Sequence, residues 1–420
     1  MKLTPIGFLP EDWDYCQLRD HLDLLTDYDA NGSFADMANN VHTEIGSGYA
    51  WYVRATDLEQ KTPLSEVRYT DKSSYEFLKK SSLFGGEVLV AKRGEIGKVY
   101  YFEKPQNLRA TLAPNLYLLK LKKSIHSHWL YYFFVSPRGQ ELLKSINAST
   151  SLGAIYKEDV KNLRIPLPNL DEQKKIADAL TAVDKMIGAL EEAITKKRQI
   201  KDGLMQQLLT GKTRLPGFSG KWLPKILGKS ALIKARIGWQ GLTTKEYLDS
   251  GAYYLITGTD FKDGRIDWKN CHYVTRDRFE QDPYIKIQKH DVLVSKDGTI
   301  GKVAYLDDIP GPGTLNSGVF VIRSKDKQIS QRYLAKVFVS KYFDDFIDSI
   351  VAGSTIVHLY QKDIVNFDFM VPPSIEEQEQ VCDFLEGVDK EIISLESKRD
   401  KYASLKQGMM QELLTGKTRL

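Results

Sequence analysis

Two Gly-Lys-Thr triplets, at Gly211–Thr213 and Gly416–Thr418, are the residues of this sequence that most suggest phosphate chemistry. A nucleotide-binding phosphate loop carries a further glycine five residues before the glycine of this triplet, and it follows a β-strand. Gln206 and Gln411 occupy those two positions, at the ends of predicted helices. The pattern therefore argues against ATP or GTP binding by this chain.

Other catalytic groupings are also missing from the sequence. An enzyme that methylates adenine with S-adenosylmethionine needs a glycine-rich loop and an (Asn/Asp/Ser)-Pro-Pro-(Tyr/Phe) tetrapeptide that holds the flipped base. The one Pro-Pro pair stands in Val371–Ser374, without those flanking residues. The 3 cysteines and 7 histidines are scattered without metal-ligand spacing, and no Ser/His/Asp or paired-carboxylate signature stands out. We therefore expect a chain without catalytic residues, resident metal or bound cofactor.

Cationic, hydroxyl and aromatic side chains on predicted loops could contact nucleic acid, because Lys, Arg, Ser and Thr bind phosphates and several polar side chains read base edges. These candidates are Lys92, Arg93, Lys98, Thr150, Ser151, Tyr156, Lys296, Lys302, Ser354, Thr355 and Tyr360. Each could instead be a solvated surface charge or a turn residue, and the two tyrosines could belong to the core. The net charge of +4 permits nucleic-acid binding and implies that a partner shares the phosphate contacts.

The chain contains one unit of sequence twice. Leu209–Leu215 recurs as Leu414–Leu420, 205 residues later, and Val88–Lys92 corresponds to Val292–Lys296. Each copy is a globular part followed by a helical part. The predicted boundaries are a first globular domain over 1–168, a central long helix over 169–215, a second globular domain over 216–372 and a C-terminal long helix over 373–420.

Each predicted long helix has about 40 residues and a length of roughly 60 Å. Capping-box starts, Asn169 with Glu172 and Ser374 with Glu377, precede apolar residues in a heptad rhythm. The predicted seam consists of Ile176, Leu180, Val183, Ile187, Leu190, Ile194, Val381, Leu385, Val388, Ile392 and Leu395. So narrow an apolar stripe needs a partner, so we expect the helices to pair with each other rather than to be linkers or lone surface helices.

The chain ends favour an antiparallel pair. Thr213–Phe218 leads to Trp222 between the copies, and Leu3–Phe8 leads to Trp13, so joining Leu420 to the N-terminus would recreate the internal junction. An antiparallel pair returns the second helix to the first globular part and closes this cycle. The two globular parts would then lie at opposite ends of the rod, about a pseudo-two-fold axis.

The globular parts mix strand and helix signals, so the predicted class is α/β (α+β) with a twisted, partly antiparallel sheet. Strands on both sides of Arg93–Gly94 predict a hairpin, and Asp297–Gly298 predicts a two-residue hairpin turn. Trp129–Ile146 and Gln331–Ile350 are predicted to be helical. Thr26–Glu44 has no counterpart in the second copy.

Composition indicates a globular protein, with 42% hydrophobic and 27% charged residues. No apolar run approaches the ~18 residues that a membrane span needs. Dispersed cysteines fit a reducing compartment, and the first residues lack the apolar core of a secretory signal. We therefore expect a cytoplasmic protein with no membrane partner.

The duplicated architecture and its short motifs resemble the specificity subunit of type I restriction-modification systems over essentially the whole chain. The matching residues are Pro168, Glu172, Gln173 and Ile176 with Pro373, Glu377, Gln378 and Val381, the Leu-Leu-Thr-Gly-Lys-Thr-Arg-Leu ends at 208–215 and 413–420, the path from Tyr156 through Asp159 to Pro166–Pro168, and its weaker counterpart from Tyr360 through Asp363.

This resemblance implies a DNA-binding role in host defence. The globular parts would be target-recognition domains, each reading one half of a split site in double-stranded DNA. The paired helices would set the spacing and dock two modification subunits, which bring S-adenosylmethionine and methylate adenine at N6. Restriction subunits, with ATP and Mg²⁺, would complete the translocating nuclease.

Two alternatives come from other classes of protein. One is a coiled-coil scaffold with two protein-binding domains and no nucleic acid, and the other is a stand-alone nuclease, which the absence of a metal-carboxylate motif disfavours. The sequence leaves open the recognised bases, the spacer length, the presence of a restriction subunit and the role of residues 26–44.

Overall fold

A computed structural model describes residues 1–93, 97–147, 154–237, 241–351 and 358–420. The chain divides into two compact units. The first unit contains Met1–Glu191 and Ser397–Leu420, and the second contains Glu192–Glu396. Each unit therefore combines one globular part with portions of both long helices. None of the described helices is long and apolar enough to cross a membrane.

The globular part of the first unit has two larger sheets and two strand pairs. Its strands are β1 Lys2–Thr4, β2 Gly7–Leu9, β3 Asp14–Gln17, β4 Leu22–Asp27, β5 Thr43–Ile45, β6 Ala50–Val53, β7 Arg68–Thr70, β8 Ser82–Leu83, β9 Glu87–Ala91, β10 Val99–Phe102, β11 Arg109–Leu112, β12 Leu116–Leu121 and β13 Arg164–Leu167. One sheet has the order β10-β9-β12-β4 and is antiparallel. The other has the order β5-β7-β6-β11-β8, with β6 and β11 parallel. The two strand pairs are β1 with β2 and β3 with β13.

Short α-helices accompany these strands, and one long helix follows them. They are α1 Phe34–Asn40, α2 Ala55–Gln60, α3 Lys72–Phe77, α4 Ser127–Val135, α5 Pro137–Ser145, α6 Lys157–Asn162 and the 39-residue α7 Leu170–Leu208. The predicted helix Trp129–Ile146 is thus two helices. Ser136 and Pro137 cause the break, because Ser136 caps α5 through a 3.2 Å hydrogen bond from Gly139 N.

The second unit repeats this plan. Its strands are β14 Leu223–Ile226, β15 Ala231–Lys234, β16 Tyr253–Ile256, β17 Phe261–Lys262, β18 Arg265–Ile266, β19 His272–Val274, β20 Val292–Ser295, β21 Val303–Tyr305, β22 Gly313–Leu315, β23 Val319–Ser324 and β24 Asp368–Val371. Its helices are α8 Leu227–Ser230, α9 Arg276–Glu280, α10 Gln331–Phe338, α11 Lys341–Val351, α12 Gln361–Ile364 and the first part of the 39-residue α13 Ile375–Leu413, which continues in the first unit from Ser397. The predicted helix Gln331–Ile350 is likewise divided, at Ser340.

The two units share sheet topology and differ by an insertion. The sheet β21-β20-β23-β15 corresponds to β10-β9-β12-β4, and β19-β16-β22, with its parallel pair β16 and β22, corresponds to β7-β6-β11. The segment 26–44 gives the first unit a helix, α1, and most of an added edge strand, β5. The mixed α and β class predicted from the sequence is confirmed.

The predicted hairpins form, but their turns are longer than expected. β9 pairs with β10 and β20 with β21, both antiparallel. The two-residue turn predicted at Asp297–Gly298 is wrong, because β20 ends at Ser295 and β21 begins at Val303. Leu359 N donates to Lys296 O at 2.9 Å, so the chain after β20 pairs with a later segment instead of folding back at once.

The long helices pair in antiparallel fashion within each unit. In the second unit, Lys201 Nζ lies 2.6 Å from Asp389 Oδ1 and Lys197 contacts Glu391, so partners descend on one helix as they ascend on the other. In the first unit, Lys406 Nζ lies 2.6 Å from Asp184 Oδ1.

The predicted seam residues divide among several clusters. Ile194, Val388 and Ile392 form a small helix–helix cluster, with Leu395 packed against it. Ile176 and Leu180 belong to the core of the first globular part, and Val381 and Leu385 to that of the second. Leu190 is buried, and Val183 and Ile187 are half-buried.

The repeated Glu-Gln and Thr-Arg motifs fasten the helix pair within each unit. In the first unit Arg419, after α13, donates to Glu172, at the start of α7, with Nη2 and Oε2 2.8 Å apart. In the second unit Arg214, after α7, donates to Glu377, at the start of α13, with Nε and Oε1 2.8 Å apart. Glu172 and Glu377 are buried. Each arginine therefore neutralises a carboxylate that burial would otherwise penalise.

The neighbouring glutamines fasten each long helix to its globular part. Gln173 accepts from His126 N at 2.7 Å and donates to Pro168 O at 2.8 Å. Gln378 accepts from Ser330 N at 2.8 Å and donates to Pro372 O at 3.0 Å. Both glutamines are buried, and these bonds satisfy their amides.

The two Gly-Lys-Thr triplets lie at helix ends. Gly211 and Gly416 have φ angles of +72° and +69°, the left-handed conformation typical of a glycine that ends a helix. A Cβ on Gly211 would approach the Trp222 ring to 3.0 Å. These glycines therefore serve helix termination and close packing.

Candidate nucleic-acid interface

Hydrogen bonds bring the candidate loops together at the same place in each unit. Ile155 N donates to Lys92 O at 3.1 Å, and Arg93 forms a bridge with Ala154. The chain that follows the central strand β9 thus lies beside the chain that precedes α6. Two candidates far apart in sequence, Arg93 and Tyr156, therefore reach one region of the first unit.

The second unit forms the corresponding arrangement. Asp297 forms a bridge with His358, and the bond from Leu359 to Lys296 lies beside it. Lys296 and Tyr360 consequently share one region, which follows β20 and precedes α12. We call each of these two regions the candidate surface of its unit.

Lys92 differs from the surface cation that the sequence suggested. Its side chain is only 7% exposed, and its Nζ lies 2.7 Å from Asp27 Oδ2 and 2.5 Å from Asp29 Oδ2. Lys157 Nζ also lies 2.7 Å from Asp27 Oδ1. Burial opposes ionisation of Asp27, but the hydrogen bonds from Lys157 and Lys92 hold its pKa below the ordinary value. Lys92 is therefore committed to an internal ion pair.

Lys296 occupies the position equivalent to Lys92 but has different surroundings. In the first unit Asp27 pairs with Tyr117 on β12, whereas in the second unit β15 ends at Lys234, paired with Val321, and Ala235 is the next residue. Lys296 is half-buried and carries its Nζ 5.4 Å above the Phe320 ring. Among the described residues no carboxylate forms an ion pair with it. Lys296 and Lys92 therefore differ in their charged partners although they occupy equivalent positions.

The remaining candidates separate into exposed and paired side chains. Tyr156 and Tyr360 are 60% and 50% exposed, so the alternative that they belong to the core is wrong. Lys362 Nζ lies 5.3 Å from the Tyr360 ring centre, and the centre of the His358 ring lies 4.4 Å from it, with the two rings tilted by 58°.

Three of the lysine and arginine candidates have simple environments. Arg93 is exposed, Lys98 forms an ion pair with Glu59, and Lys302 is half-buried with its backbone N 2.9 Å from Ser295 Oγ. Thr150, Ser151, Ser354 and Thr355 lie outside the residues that the structure describes.

Sequence reasoning overlooked three residues of the candidate surfaces. Lys157, His358 and Lys362 stand within two residues of Tyr156 or Tyr360. Their basic side chains next to a repeated tyrosine were a signal that could have identified them.

Comparison with known proteins agrees with the duplicated architecture. A family model described as the type I restriction modification DNA specificity domain matches residues 10–201 and 240–405. The putative type I restriction enzyme MjaX specificity subunit of Methanocaldococcus jannaschii is 25% identical over 434 residues, covering 100% of this chain and 96% of the relative. The type I restriction enzyme EcoBI specificity subunit of Escherichia coli is 24% identical over 290 residues, covering 60% of this chain and 58% of the relative.

Solved structures share the fold at low sequence identity. The S subunit of a type I restriction-modification system from M. genitalium superimposes with a TM-score of 0.57 at 16% identity, covering 98% of both chains. A chain from a structural study of assembly and conformational transition in the type I R-M system gives a TM-score of 0.60 at 16% identity, covering 98% of this chain and 100% of that one. Because the family model spans most of the sequence, in two copies, this chain belongs to the type I restriction-modification DNA specificity family.

Proposed function

We propose that this specificity subunit recognises a bipartite site in double-stranded DNA, with each globular part reading one half. The observation that carries the proposal is the duplicated candidate surface. The same backbone arrangement occurs in both units, and the side chains on it differ. Equivalent frames with unlike side chains suit two half-sites of unlike sequence.

The contrast between Lys92 and Lys296 illustrates this difference. In the first unit Asp27 and Asp29 neutralise the lysine, and Arg93 and Tyr156 remain as exposed contacts. In the second unit Lys296 retains its charge beside an exposed Tyr360. An unneutralised lysine attracts a phosphate or the O6 and N7 acceptors of guanine, whereas a neutralised one contributes little.

The long helices would dock two modification subunits at equivalent places. Ile200 and Leu405 are related by the repeat and are 45% and 50% exposed. Three residues after each stands a glycine, Gly203 or Gly408, beside which a Cβ would meet nothing within 4 Å. Residues three apart share one helix face. Each helix therefore offers an apolar side chain next to open backbone, so one partner surface can bind twice.

The chemistry would come from the partners. In this proposal the modification subunits carry S-adenosylmethionine and methylate adenine at N6, and restriction subunits carry ATP and Mg²⁺. This chain itself would bind no cofactor and catalyse no step, and the complex would act in the cytoplasm. Its own residues would supply base contacts, spacing and docking.

Native mass spectrometry of the purified complex tests the docking half of the proposal. We expect two modification subunits per wild-type chain, and one per chain for Ile200→Glu or Leu405→Glu, because each change places a charge in one apolar contact. The matched control is Gln407→Glu, an exposed position roughly 200° around the helix from Leu405. Retention of two subunits by both variants would contradict docking at these positions.

DNA binding by the same complex tests the recognition half. We expect Lys296→Ala to weaken binding and to reduce the dependence of log K on log salt by about one unit, the value for one lost phosphate contact. An unchanged salt slope with unchanged affinity would remove Lys296 from the DNA-contacting surface.

A further inference from the structure

We propose that Phe34 is an apolar wedge that inserts between base pairs of the half-site read by the first unit. This inference rests on the proposed function, since it requires that the first unit bind DNA. It assigns a role to the segment 26–44, for which the second unit has no counterpart.

Phe34 is unusually exposed for an aromatic side chain. Its exposed fraction is 92%, at the first residue of helix α1. Scattered exposed apolar residues are common on proteins, but α1 as a whole is directed outward. Met37 is its buried side chain, and the other six residues of the helix are exposed. The helix therefore contributes little to the core.

The structure nevertheless holds α1 firmly. A seven-residue helix is marginal by itself in water. Ser33 and Asp36 form a capping box, with Asp36 N 3.2 Å from Ser33 Oγ and Ser33 N 2.8 Å from Asp36 Oδ2. Met37 packs in a small cluster with Tyr28 and Leu78. A short element that is rigidly held and contributes little to the core is typical of a structure that presents a side chain to a partner.

Hydrogen bonds from the neighbouring loop fix the start of this segment. Asn31 Nδ2 donates to Ser81 Oγ at 2.8 Å, and Lys80 N donates to Asn31 Oδ1 at 3.1 Å. Lys80 Nζ, on an exposed side chain, donates to Ala30 O at 3.1 Å, and Lys79 is exposed beside it. Two cations thus lie near Ala30 and Asn31, a few residues before Phe34, where they can meet phosphates.

The segment also adjoins the candidate surface of the first unit. Asp29 contacts the buried Lys92 and precedes Phe34 by five residues. Five residues span at most about 18 Å of extended chain, roughly half a turn of DNA. Phe34, Arg93 and Tyr156 therefore lie near enough to contact one half-site together.

The chemistry of a duplex fits this aromatic group. Proteins that kink DNA insert Phe, Leu, Ile or Met between base steps, and stacking of a base on an aromatic ring is sequence-tolerant. Phe34 would therefore contribute affinity and a local deformation, with specificity arising from the steps that unstack most readily.

The test compares Phe34→Ala and Phe34→Leu in the complex of the full chain with its modification subunits. The control is Phe84→Ala, which removes a 61% exposed phenylalanine of the same unit that lies under Lys120. The DNA is an unmethylated duplex that contains the site methylated by the wild-type complex. In that duplex 2-aminopurine replaces, one at a time, each adenine of the half-site read by the first unit. Affinity, its salt dependence, 2-aminopurine fluorescence and melting temperature are measured.

We expect Phe34→Ala to weaken specific binding by at least about fivefold, the lower bound for one base–aromatic stack. The salt slope and melting temperature should stay unchanged, and the fluorescence increase at one adenine should disappear. Phe34→Leu should retain most of the affinity, and Phe84→Ala all of it.

Equal affinity of wild-type and Phe34→Ala complexes would overturn the wedge while leaving the proposed function intact. So would loss of the modification subunits from the Phe34→Ala complex, which would make Phe34 a protein contact. Failure of the wild-type complex to prefer the site would overturn the proposed function itself, and the wedge with it.

Discussion

Lys92→Ala should destabilise the first unit rather than act as a simple DNA-binding mutation. Lys92 is buried beside Asp27, whose carboxylate is also buried, and Asp29 completes the contact. Removing the lysine leaves a buried carboxylate that retains one cationic partner, Lys157. Loss of one partner from a buried pair is costly because the remaining charge stays desolvated.

The size of the destabilisation depends on how far Lys157 still neutralises the Asp27 carboxylate after Lys92 is removed. Removing the only partner of a buried charge destabilises the folded state by about 3–5 kcal/mol. Because Lys157 still contacts Asp27, we expect about 2–3 kcal/mol for Lys92→Ala. For a folding unit of some 150–250 residues this corresponds to a decrease of roughly 5–10 °C in Tm.

Lys296→Ala is the matched control, because Lys296 occupies the equivalent position with its Nζ over the Phe320 ring, and no described carboxylate forms an ion pair with it. It should cost less than about 1 kcal/mol, as is usual for a half-exposed side chain without a buried partner. Differential scanning calorimetry gives the stability of both variants, and hydrogen–deuterium exchange of β4 and β9 assigns any loss to the first unit.

A double-mutant cycle isolates the interaction between Asp27 and Lys92. Asp27→Ala with Lys92→Ala should cost less than the sum of the single changes by more than about 1 kcal/mol, since the two groups contact each other directly. A Tm for Lys92→Ala within about 1 °C of the wild-type value, with unchanged exchange in β4 and β9, would refute the buried ion pair.

Two further predictions concern stability. Arg419→Ala should destabilise the first unit by about 1–2 kcal/mol, because Glu172 stays buried without this partner; the figure is discounted for the partial exposure of the arginine. Urea denaturation measures this loss, with Lys417→Ala as the control. Equal denaturation midpoints for Arg419→Ala and the wild type would contradict the prediction. Burial lowers the pKa of His126 and His128 because it disfavours the charged imidazolium. The contribution of these two side chains to the free energy of unfolding is therefore fully present above their ordinary pKa of about 6.5, and it is lost as the pH falls through the lowered pKa values of the folded state. Thermal melts between about pH 7.5 and 5 should show this loss, and His128→Gln should reduce it.

The sequence predicted the elements that depend on local or repeated patterns. The two long helices, the strand pairs β9–β10 and β20–β21 and the antiparallel pairing followed from periodicity and the cyclic order of motifs. These features can be predicted because they depend on residues that are close in sequence or on motifs that the sequence repeats. Only the N-cap half of each predicted capping box forms: Glu172 N donates to Asn169 Oδ1 at 3.0 Å, but the Glu172 carboxylate accepts from Arg419.

Features set by distant partners were not predictable in this way. Lys92 reads as a loop cation because Asp27 and Asp29 stand more than 60 residues earlier. The partner of Arg419 is 247 residues away, so its role at Glu172 could not be seen from spacing. The prediction of a two-residue turn after β20 was wrong for the same reason, since the later segment at Leu359 bonds to the backbone of Lys296. By contrast, the break at Ser136–Pro137 was a local signal that could have been used.

Single-molecule sequencing of N6-methyladenine shows whether each globular part reads one half of a split DNA site. The chain is expressed with an adenine modification subunit that copurifies with it, in cells that lack other adenine methyltransferases, and methylated positions are mapped across the genome. We expect one split motif with two unlike halves and a fixed gap, methylated on both strands. An assembled, active complex that methylates an unbroken motif would contradict the division between the two units, and one that methylates no specific site would contradict recognition of DNA by this chain.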